Sequence, residues 1–249
     1  MSQATTHFAA ASPRLLRYLA ELGLARPEVS RKHFTQRLGA LFDLQDSIAI
    51  AAVHGGLGKP GPAALPATDV TSLFLEGRGA ILRSAARAFD PDGGARIRFP
   101  CLDPSDPAAR ATSMEVEPYL GFYRAQQSDA EHRVRRLQLQ VREASAGRSA
   151  QLDQLCALDA VLARSMSART RGFFSAIPHL LQTRFETLRA SCRPQGTDEA
   201  EAAALWQQTL QRYRRDMRGM LLAEIETRLL PVTGLVEAVE AHQMKETHD

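Results

Sequence analysis

The chain has 249 residues, against about 100–200 for an ordinary domain, so it can bury one sizeable core or two small ones and is not a disulfide-stapled mini-protein. Hydrophobic residues make up 44% and charged residues 24%, which excludes a chain too polar to collapse. The net charge of +3 does not by itself predict nucleic-acid binding, although 28 of the 31 cationic residues are arginine.

Neither a targeting peptide nor a membrane segment is predicted. The N-terminus has no basic start before a long apolar core, and Arg14, Arg17 and Glu21 interrupt its leucine-rich stretch. The longest uncharged run, 47–58, is far shorter than the roughly 20 apolar residues that span a bilayer. We therefore expect a cytoplasmic protein. Its three cysteines are widely spaced and odd in number, which favours reduced thiols over disulfides or a zinc site: Cys101, Cys156 and Cys192.

Residues 1–54 are predicted to form a small N-terminal helical unit. Ser12 followed by Pro13 is a typical helix start, and Gly23 ends the leucine pattern that follows. A second apolar pattern runs from near Ser30 to Val53, so we expect two helices packed on each other. Residues 55–67 are rich in glycine and proline and predict a flexible linker.

Residues 68–117 are predicted to contain one helix and an irregular segment. The helix starts near Thr68 or Asp69, and its apolar face ends at Phe89. Several prolines forbid a regular helix through most of residues 90–107. Ser105 or Asp106 is the predicted cap of the next helix.

Residues 118–249 are predicted to form a bundle of long helices. The first runs over 119–145 and is broken by Gly147. The second starts near Ser149, is kinked or restarted at Pro178, and continues to Cys192.

Thr197 or Asp198 is predicted to cap the third long helix, which runs to Pro231 before a short last helix. Three long antiparallel helices joined by short loops bury their apolar stripes as a bundle or coiled coil. We therefore expect an all-α protein, with a small N-terminal helical domain and a C-terminal antiparallel bundle. The packing face of the third helix is predicted to comprise Leu205, Trp206, Leu210, Tyr213, Met217, Leu221, Glu224, Ile225 and Arg228.

The segment 54–60 only superficially resembles a phosphate-binding or an oxyanion loop. A phosphate loop needs glycine where Val53 stands and serine or threonine where Pro60 stands. An oxyanion loop needs a Gly-x-Ser-x-Gly elbow, which does not occur in the chain. The segment is therefore interpreted as a linker.

Histidines and carboxylates give no catalytic or metal-binding constellation. The seven histidines lack the spacing and company of zinc ligands. Asp153 and Asp159 flank an apolar seam, but no acid/base role follows from that position. We predict no catalytic residue, no cofactor and no metal. Two further pairs are typical of solvated helix faces: Asp43 with Asp46, and Glu224 with Glu226.

Arginines are the clearest charged feature. The run 211–218 is predicted to place Arg214, Arg215 and Arg218 on one side of a helix, with Arg212 on another. Those three are the candidate contacts for phosphates or for an acidic partner. The alternative is a solvated face with acidic neighbours at 216 and 224. A second group lies earlier in the bundle: Arg133, Arg135, Arg136 and Arg142.

Three blocks, in order along the chain, resemble a proteobacterial family, the domain of unknown function 3348 family. They are RLLRYLAELGLARPEVSRKHFTQRLGALFDLQDSIAIAAVHG, LDAVLARSMSARTRGFFSAIPHLLQTRFETLR and YRRDMRGMLLAEIETRLLPVTGLVEAV. The last is the most distinctive, because Arg-Asp-Met, Leu-Leu-Ala-Glu and Arg-Leu-x-Pro-Val-x-Gly-Leu in succession are hard to produce by helix composition alone. Residues 55–110 depart from the family pattern, as does the region of Leu44, where the family usually has tryptophan.

The resemblance implies a setting rather than a chemistry, and it carries over no catalytic residue. Family members resemble neighbours of a flagellar-stator-like proton channel and a peptidoglycan-binding, outer-membrane-protein-A-like partner. That arrangement is similar to Zorya-type anti-phage defence systems, in particular the third type. The implied role is a cytoplasmic accessory or effector protein that receives a signal from the motor's cytoplasmic tail or engages invading DNA.

Two hypotheses follow. The first is a non-enzymatic interaction protein, whose apolar seams and arginine faces bind a helical partner or a second copy of the chain, without membrane insertion. The second is a DNA-binding effector that contacts phosphates through Arg31, Lys32 and Arg37 or through the Arg214 face. An enzyme would require a pocket that gathers distant acidic residues and histidines, which a sequence does not show.

Overall fold

The structure is a computed structural model that describes residues 14–24, 44–55, 69–100, 107–192 and 199–246. Within those ranges the regular secondary structure is α-helical and no strand occurs, which confirms the all-α prediction. The helices, in chain order, are α1 (Arg14–Glu21), α2 (Leu44–Gly55), α3 (Val70–Ala88), α4 (Pro107–Ser113), α5 (Glu117–Ser145), α6 (Ala150–Ser175), α7 (Ile177–Ser191) and α8 (Glu199–Glu246).

Contacts group the chain into two compact units, each made of segments that are distant in sequence. Unit 1 comprises Met1–Pro27, Ile81–Glu131 and Phe174–Thr227. Unit 2 comprises Glu28–Ala80, His132–Phe173 and Arg228–Asp249. This grouping differs from the contiguous segments 1–54, 55–67, 68–117 and 118–249 expected from the sequence. The physical reason is that a long helix meets different neighbours along its length, so α3, α5 and α8 each contribute to both units.

Local signals set several helix ends as predicted. Helix α3 begins at Val70, next to the predicted start at Thr68 or Asp69, and the Asp69 carboxylate caps it by accepting a hydrogen bond of 3.1 Å from the Thr71 amide. Gly23 (φ 71°) follows α1, and Gly147 (φ 76°) follows α5, as expected of residues that end helices in the left-handed region. The Gly147 amide donates to the Asp153 carboxylate at 2.6 Å, so Asp153 stabilises this turn.

The two prolines of the bundle have different outcomes. Pro178 lies in the first turn of α7 after a break at Ala176, so the predicted restart is confirmed. Pro231 lies inside α8, so the prediction that the helix ends there is wrong. Pro231 removes a single backbone hydrogen bond, whereas burial of the surrounding side chains stabilises the continuous helix. Those buried side chains are Leu229, Val232, Leu235, Val236 and Val239.

An unbroken series of aromatic rings forms the core of unit 1. Phe89, in the chain after α3, meets Phe122 of α5 edge to face at 4.9 Å between centroids. At the other end, Phe185 of α7 meets Trp206 of α8 at 5.8 Å. Such tilted and edge-to-face pairs are favourable beyond their buried area. The series comprises Phe89, Phe99, Phe122, Tyr119, Tyr213, Phe185 and Trp206.

Polar groups complete this aromatic core. The Trp206 indole donates to Ser113 Oγ at 2.8 Å, and the Tyr213 hydroxyl donates to the Leu181 carbonyl at 3.2 Å. Burial raises the pKa of Tyr213, so its hydroxyl stays protonated and keeps donating. Tyr213 thus meets Leu181, and Trp206 meets Phe185, an order that makes α7 and α8 antiparallel, as predicted for the bundle.

In unit 2, α5 and α6 form an antiparallel hairpin around Gly147. Asp159 of α6 accepts from Arg142 of α5 at 2.5 Å and from Gln138 at 3.1 Å, with both charged side chains largely buried. Asp159 is therefore an ion-pair partner within the hairpin. Gly77 of α3 packs against Leu137 of α5 so closely that an added Cβ would lie 2.5 Å from Leu137 Cδ1.

Several predicted features lie outside the described residues. They are the helix start at Ser12 and Pro13, the helix start near Ser30, most of the linker 55–67, the caps at Ser105 or Asp106 and at Thr197 or Asp198, and Cys101.

Candidate interaction surface on helix α8

One long face of α8 within unit 1 is exposed. We call this face the α8 stripe. At 3.6 residues per turn, its members fall on one side of the helix over five turns. Its N-terminal half begins with a glutamate and otherwise carries uncharged side chains. Its C-terminal half carries three arginines. The α8 stripe comprises Glu201, Ala204, Leu205, Gln208, Gln211, Arg212, Arg215 and Arg218.

The structure separates the three arginines that the sequence predicted as one group. Arg215 and Arg218 are exposed on the α8 stripe, as expected. Arg214 is half-buried, donates a hydrogen bond to the Phe89 carbonyl and lies over the Phe99 ring at 5.6 Å. Arg212 is exposed beside Arg215, so the prediction that it lies on another side of the helix is wrong. The arginines of the surface are therefore Arg212, Arg215 and Arg218, and Arg214 binds the aromatic core.

Helical spacing alone places Arg212 on the same face as Arg215 and Arg218. Arg212, Arg215 and Arg218 are three residues apart, so each is about 60° from the next around the helix. Arg214 lies only about 40° from Arg218 by the same arithmetic. The carbonyl and the ring that turn Arg214 inward come from residues more than a hundred positions earlier in the chain, which helical spacing does not reveal.

The acidic residues expected to neutralise this face are engaged elsewhere. The Asp216 carboxylate accepts from Arg184 of α7 at 2.8 Å, with both side chains largely buried. Glu224 is fully buried and accepts from Tyr123 and Gln127 of α5 at 3.1 and 2.9 Å. In the part of the chain that the structure describes, no carboxylate lies within ion-pair distance of Arg212, Arg215 or Arg218.

The prediction that Glu224 and Glu226 form a solvated pair is therefore wrong, whereas the inclusion of Glu224 in the packing face is confirmed. A buried carboxylate is costly unless hydrogen bonds replace its water, and Tyr123 and Gln127 provide such bonds. Glu226 pairs instead with Arg14 of α1 at 2.9 Å. Leu205 was also expected on the packing face, but it is 40% exposed and belongs to the α8 stripe.

Helix α1 covers the continuation of the α8 stripe. Its Tyr18 hydroxyl donates to the Arg215 carbonyl at 3.4 Å, and Arg14 pairs with Glu226 farther along α8. An added Cβ at Gly219 would lie 2.2 Å from the Tyr18 hydroxyl oxygen, so this close approach requires glycine. Burial and the nearby Asp216 carboxylate raise the pKa of Tyr18. The contacts make α1 antiparallel to α8.

The other cationic residues named from the sequence fall into three groups. Arg142 is held by Asp159 in unit 2. The candidate DNA contacts Arg31, Lys32 and Arg37 lie outside the described residues. The remaining arginines of the earlier group are exposed on α5 in unit 2: Arg133, Arg135 and Arg136.

Among the residues with described positions, no group of three or more histidine, cysteine, aspartate or glutamate side chains is placed to hold a metal ion. No described helix combines the length and the apolar character needed to cross a membrane.

Comparison with protein families gives a match over most of the chain. The profile of the family described as "Protein of unknown function (DUF3348)" matches residues 1–241. Searches of curated proteins and of solved structures find no match. The matched region covers nearly the whole chain and includes the three blocks whose resemblance was noted from the sequence. The chain belongs to the DUF3348 family.

Proposed function

We propose that this chain is a non-enzymatic accessory protein that binds a helical protein partner through the α8 stripe. The observation that carries the proposal is the group of exposed arginines at 212, 215 and 218, whose acidic neighbours Asp216 and Glu224 are bound to other residues. An exposed cationic surface with no ion-pair partner among the described residues is suited to steering and orienting a partner of opposite charge.

The cellular setting is the finer part of the proposal. The resemblance of the sequence to proteins encoded beside a flagellar-stator-like proton channel supports a role in a Zorya-like anti-phage defence system. In that role the chain works in the cytoplasm and receives a signal from the cytoplasmic tail of the motor. In this proposal the tail supplies the helix that binds along the α8 stripe.

Co-purification tests this proposal. The tagged full-length chain is expressed together with a stator-like channel and the outer-membrane-protein-A-like partner of the proposed system, and captured proteins are identified by mass spectrometry. We expect capture of a motor component by the wild type and its loss in Arg212→Glu/Arg215→Glu/Arg218→Glu, called the α8 triple variant. The matched control is Arg133→Glu/Arg135→Glu/Arg136→Glu, which makes the same change in charge on an exposed face of α5. Capture of no motor component, or equal loss in both variants, would contradict the proposal.

The alternative is a DNA-binding effector of the same system, and the same arginines support it because they fit phosphates as well as carboxylates. Titration with duplex DNA at several salt concentrations separates the two. Three phosphate contacts predict a slope of about −3 in a plot of log affinity against log salt. Salt-dependent DNA binding that the α8 triple variant abolishes, without capture of a motor component, would establish the alternative.

A further inference from the structure

We infer that the partner segment is a single acidic amphipathic helix that lies along the α8 stripe in line with α1. This inference rests on the proposed function and adds the chemistry and the orientation of the partner. Three features support it. They are the existing contact of α1 with α8, the length of the exposed face, and the uneven distribution of charge along that face.

Helix α1 shows how α8 accepts a helix on this face. Gly219 and Glu226, which α1 contacts, are four and eleven residues after Arg215, so they point within about 40° of Arg215. The face covered by α1 is therefore the same face that is exposed from 201 to 218. Helix α1 has eight residues and reaches Arg215 through Tyr18. A partner helix on the α8 stripe extends this established helix interface toward the N-terminus of α8.

The dimensions suit one helix. The stripe extends from 201 to 218, which corresponds to about 26 Å at 1.5 Å per residue. A partner helix of about 18 residues covers that length. The close helix approach at Gly219 lies in the part of α8 that α1 covers. In the exposed part, a partner helix would pack against the side chains of Leu205 and Gln208.

Charge along the stripe favours a helix over a nucleic acid. The three arginines are the last three members of the stripe, between positions 212 and 218, whereas Leu205 is 40% exposed near the other end and Glu201 begins the face. A phosphate backbone is negative along its whole length, so it would meet the glutamate and the apolar side chain unfavourably. An amphipathic helix matches both halves, with carboxylates against the arginines and an apolar side chain against Leu205.

Designed peptides test this chemistry on the full-length protein. The first probe is an alanine-based helical peptide of about 18 residues, with glutamates three or four apart in one half of a face and leucine in the other half. The second has the same composition with its glutamates distributed around the helix. The third is duplex DNA of about 20 base pairs. Binding is followed by fluorescence anisotropy at low salt.

We expect the first peptide to bind at least about fivefold more tightly than the second. The α8 triple variant should weaken that binding about tenfold or more, because three exposed charge pairs are lost and repulsion replaces them. The α5 control variant should change it by less than about twofold. Leu205→Ser should weaken it a few-fold. Circular dichroism checks that each variant folds. If charge reversal prevents folding of the α8 triple variant, the neutral variant Arg212→Gln/Arg215→Gln/Arg218→Gln is used in its place.

Equal binding of the two peptides, no binding of either, or equal loss in the α8 and α5 variants would overturn the inference. DNA binding that depends on the stripe, without discrimination between the peptides, would overturn it in favour of a nucleic-acid face. Failure of this inference can be distinguished from failure of the proposed function. If the motor component is captured in a stripe-dependent way but the peptides are not discriminated, the proposed function holds and the acidic-helix inference fails.

Discussion

The side-chain amide of Gln127 donates a hydrogen bond of 3.1 Å to the carbonyl oxygen of Phe174. Phe174 is four residues before Pro178, which has no N–H to donate to that carbonyl as an uninterrupted helix would. The same Gln127 amide donates to the buried Glu224 carboxylate at 2.9 Å. The Gln127 side chain of α5 thus donates hydrogen bonds both to the carbonyl left open by the helix break before α7 and to a buried carboxylate of α8.

Gln127→Leu should lower the free energy of unfolding by about 2 kcal/mol, because it removes two hydrogen bonds, to the Phe174 carbonyl and to the buried Glu224 carboxylate. Pro178→Ala restores a backbone N–H, so Gln127→Leu should cost about 1 kcal/mol less in that background. Urea unfolding, followed by the fluorescence of the chain's one tryptophan, measures both values. A double-mutant cycle with no coupling would show that Gln127 does not compensate for the proline.

Gly219→Ala should displace the Tyr18 ring, since the new Cβ would lie 2.2 Å from the Tyr18 hydroxyl oxygen. Burial raises the pKa of Tyr18, so displacement should return that pKa toward its ordinary value. NMR titration of ring-labelled tyrosine follows this change.

The sign of the accompanying stability change checks the same contact. In a Tyr18→Ala background the clash is absent, and Gly219→Ala should stabilise α8 by up to about 1 kcal/mol through helix propensity. An unchanged Tyr18 pKa in the single variant, or destabilisation in the double variant, would argue against close packing of α1 on α8.

Ser113→Ala should lower the free energy of unfolding by about 1–3 kcal/mol, because the Trp206 indole loses its acceptor in a buried site. Tryptophan emission should shift to shorter wavelength, since the indole N–H then faces a less polar environment. Ser113→Thr keeps a hydroxyl and serves as the control. Identical emission and stability in the wild type and Ser113→Ala would contradict the buried hydrogen bond.

Cys156 should react slowly with thiol reagents. Burial, with smaller contributions from Asp153 and Asp159, raises the pKa of its thiol to about 11. Because the raised pKa favours the neutral form, only about one thiol in a thousand is ionised near pH 8, and the thiolate is the reactive species.

The rate is measured in a Cys101→Ser/Cys192→Ser variant and compared with a Cys101→Ser/Cys156→Ser variant that keeps the half-buried Cys192. We expect the first rate to be at least about tenfold lower and to rise without a plateau up to about pH 9.5. A plateau below that pH, or equal rates, would refute the raised pKa.

Local signals made much of the helical layout predictable. The predicted helix over 119–145 is observed as Glu117–Ser145, because apolar spacing marks its face and Gly147 supplies the left-handed turn that ends it. Pro231 shows the limit of such signals. Proline predicts a helix end, but the buried side chains on either side outweigh one lost hydrogen bond.

The candidate surface was predictable only in part. Arg215 and Arg218 were identified from helical spacing, whereas Arg214 is turned inward by Phe89 and Phe99, which are distant in sequence. Glu224 was assigned both to the packing face and to a solvated pair, and only the donors Tyr123 and Gln127 on α5 decide between the two. Contacts of this kind depend on which helices become neighbours, and helix neighbours cannot be predicted from the local pattern of one sequence.

The discontinuous make-up of unit 1 bears on how the protein can be dissected. A fragment that begins at residue 118 keeps α6, α7 and α8 but removes Phe89 and Phe99, the rings that pack on Phe122. The same cut removes the carbonyl that Arg214 binds. Such a fragment would expose aromatic surface that is covered in the intact chain. Its aggregation or nonspecific binding would result from the truncation and not from the native interactions of α8.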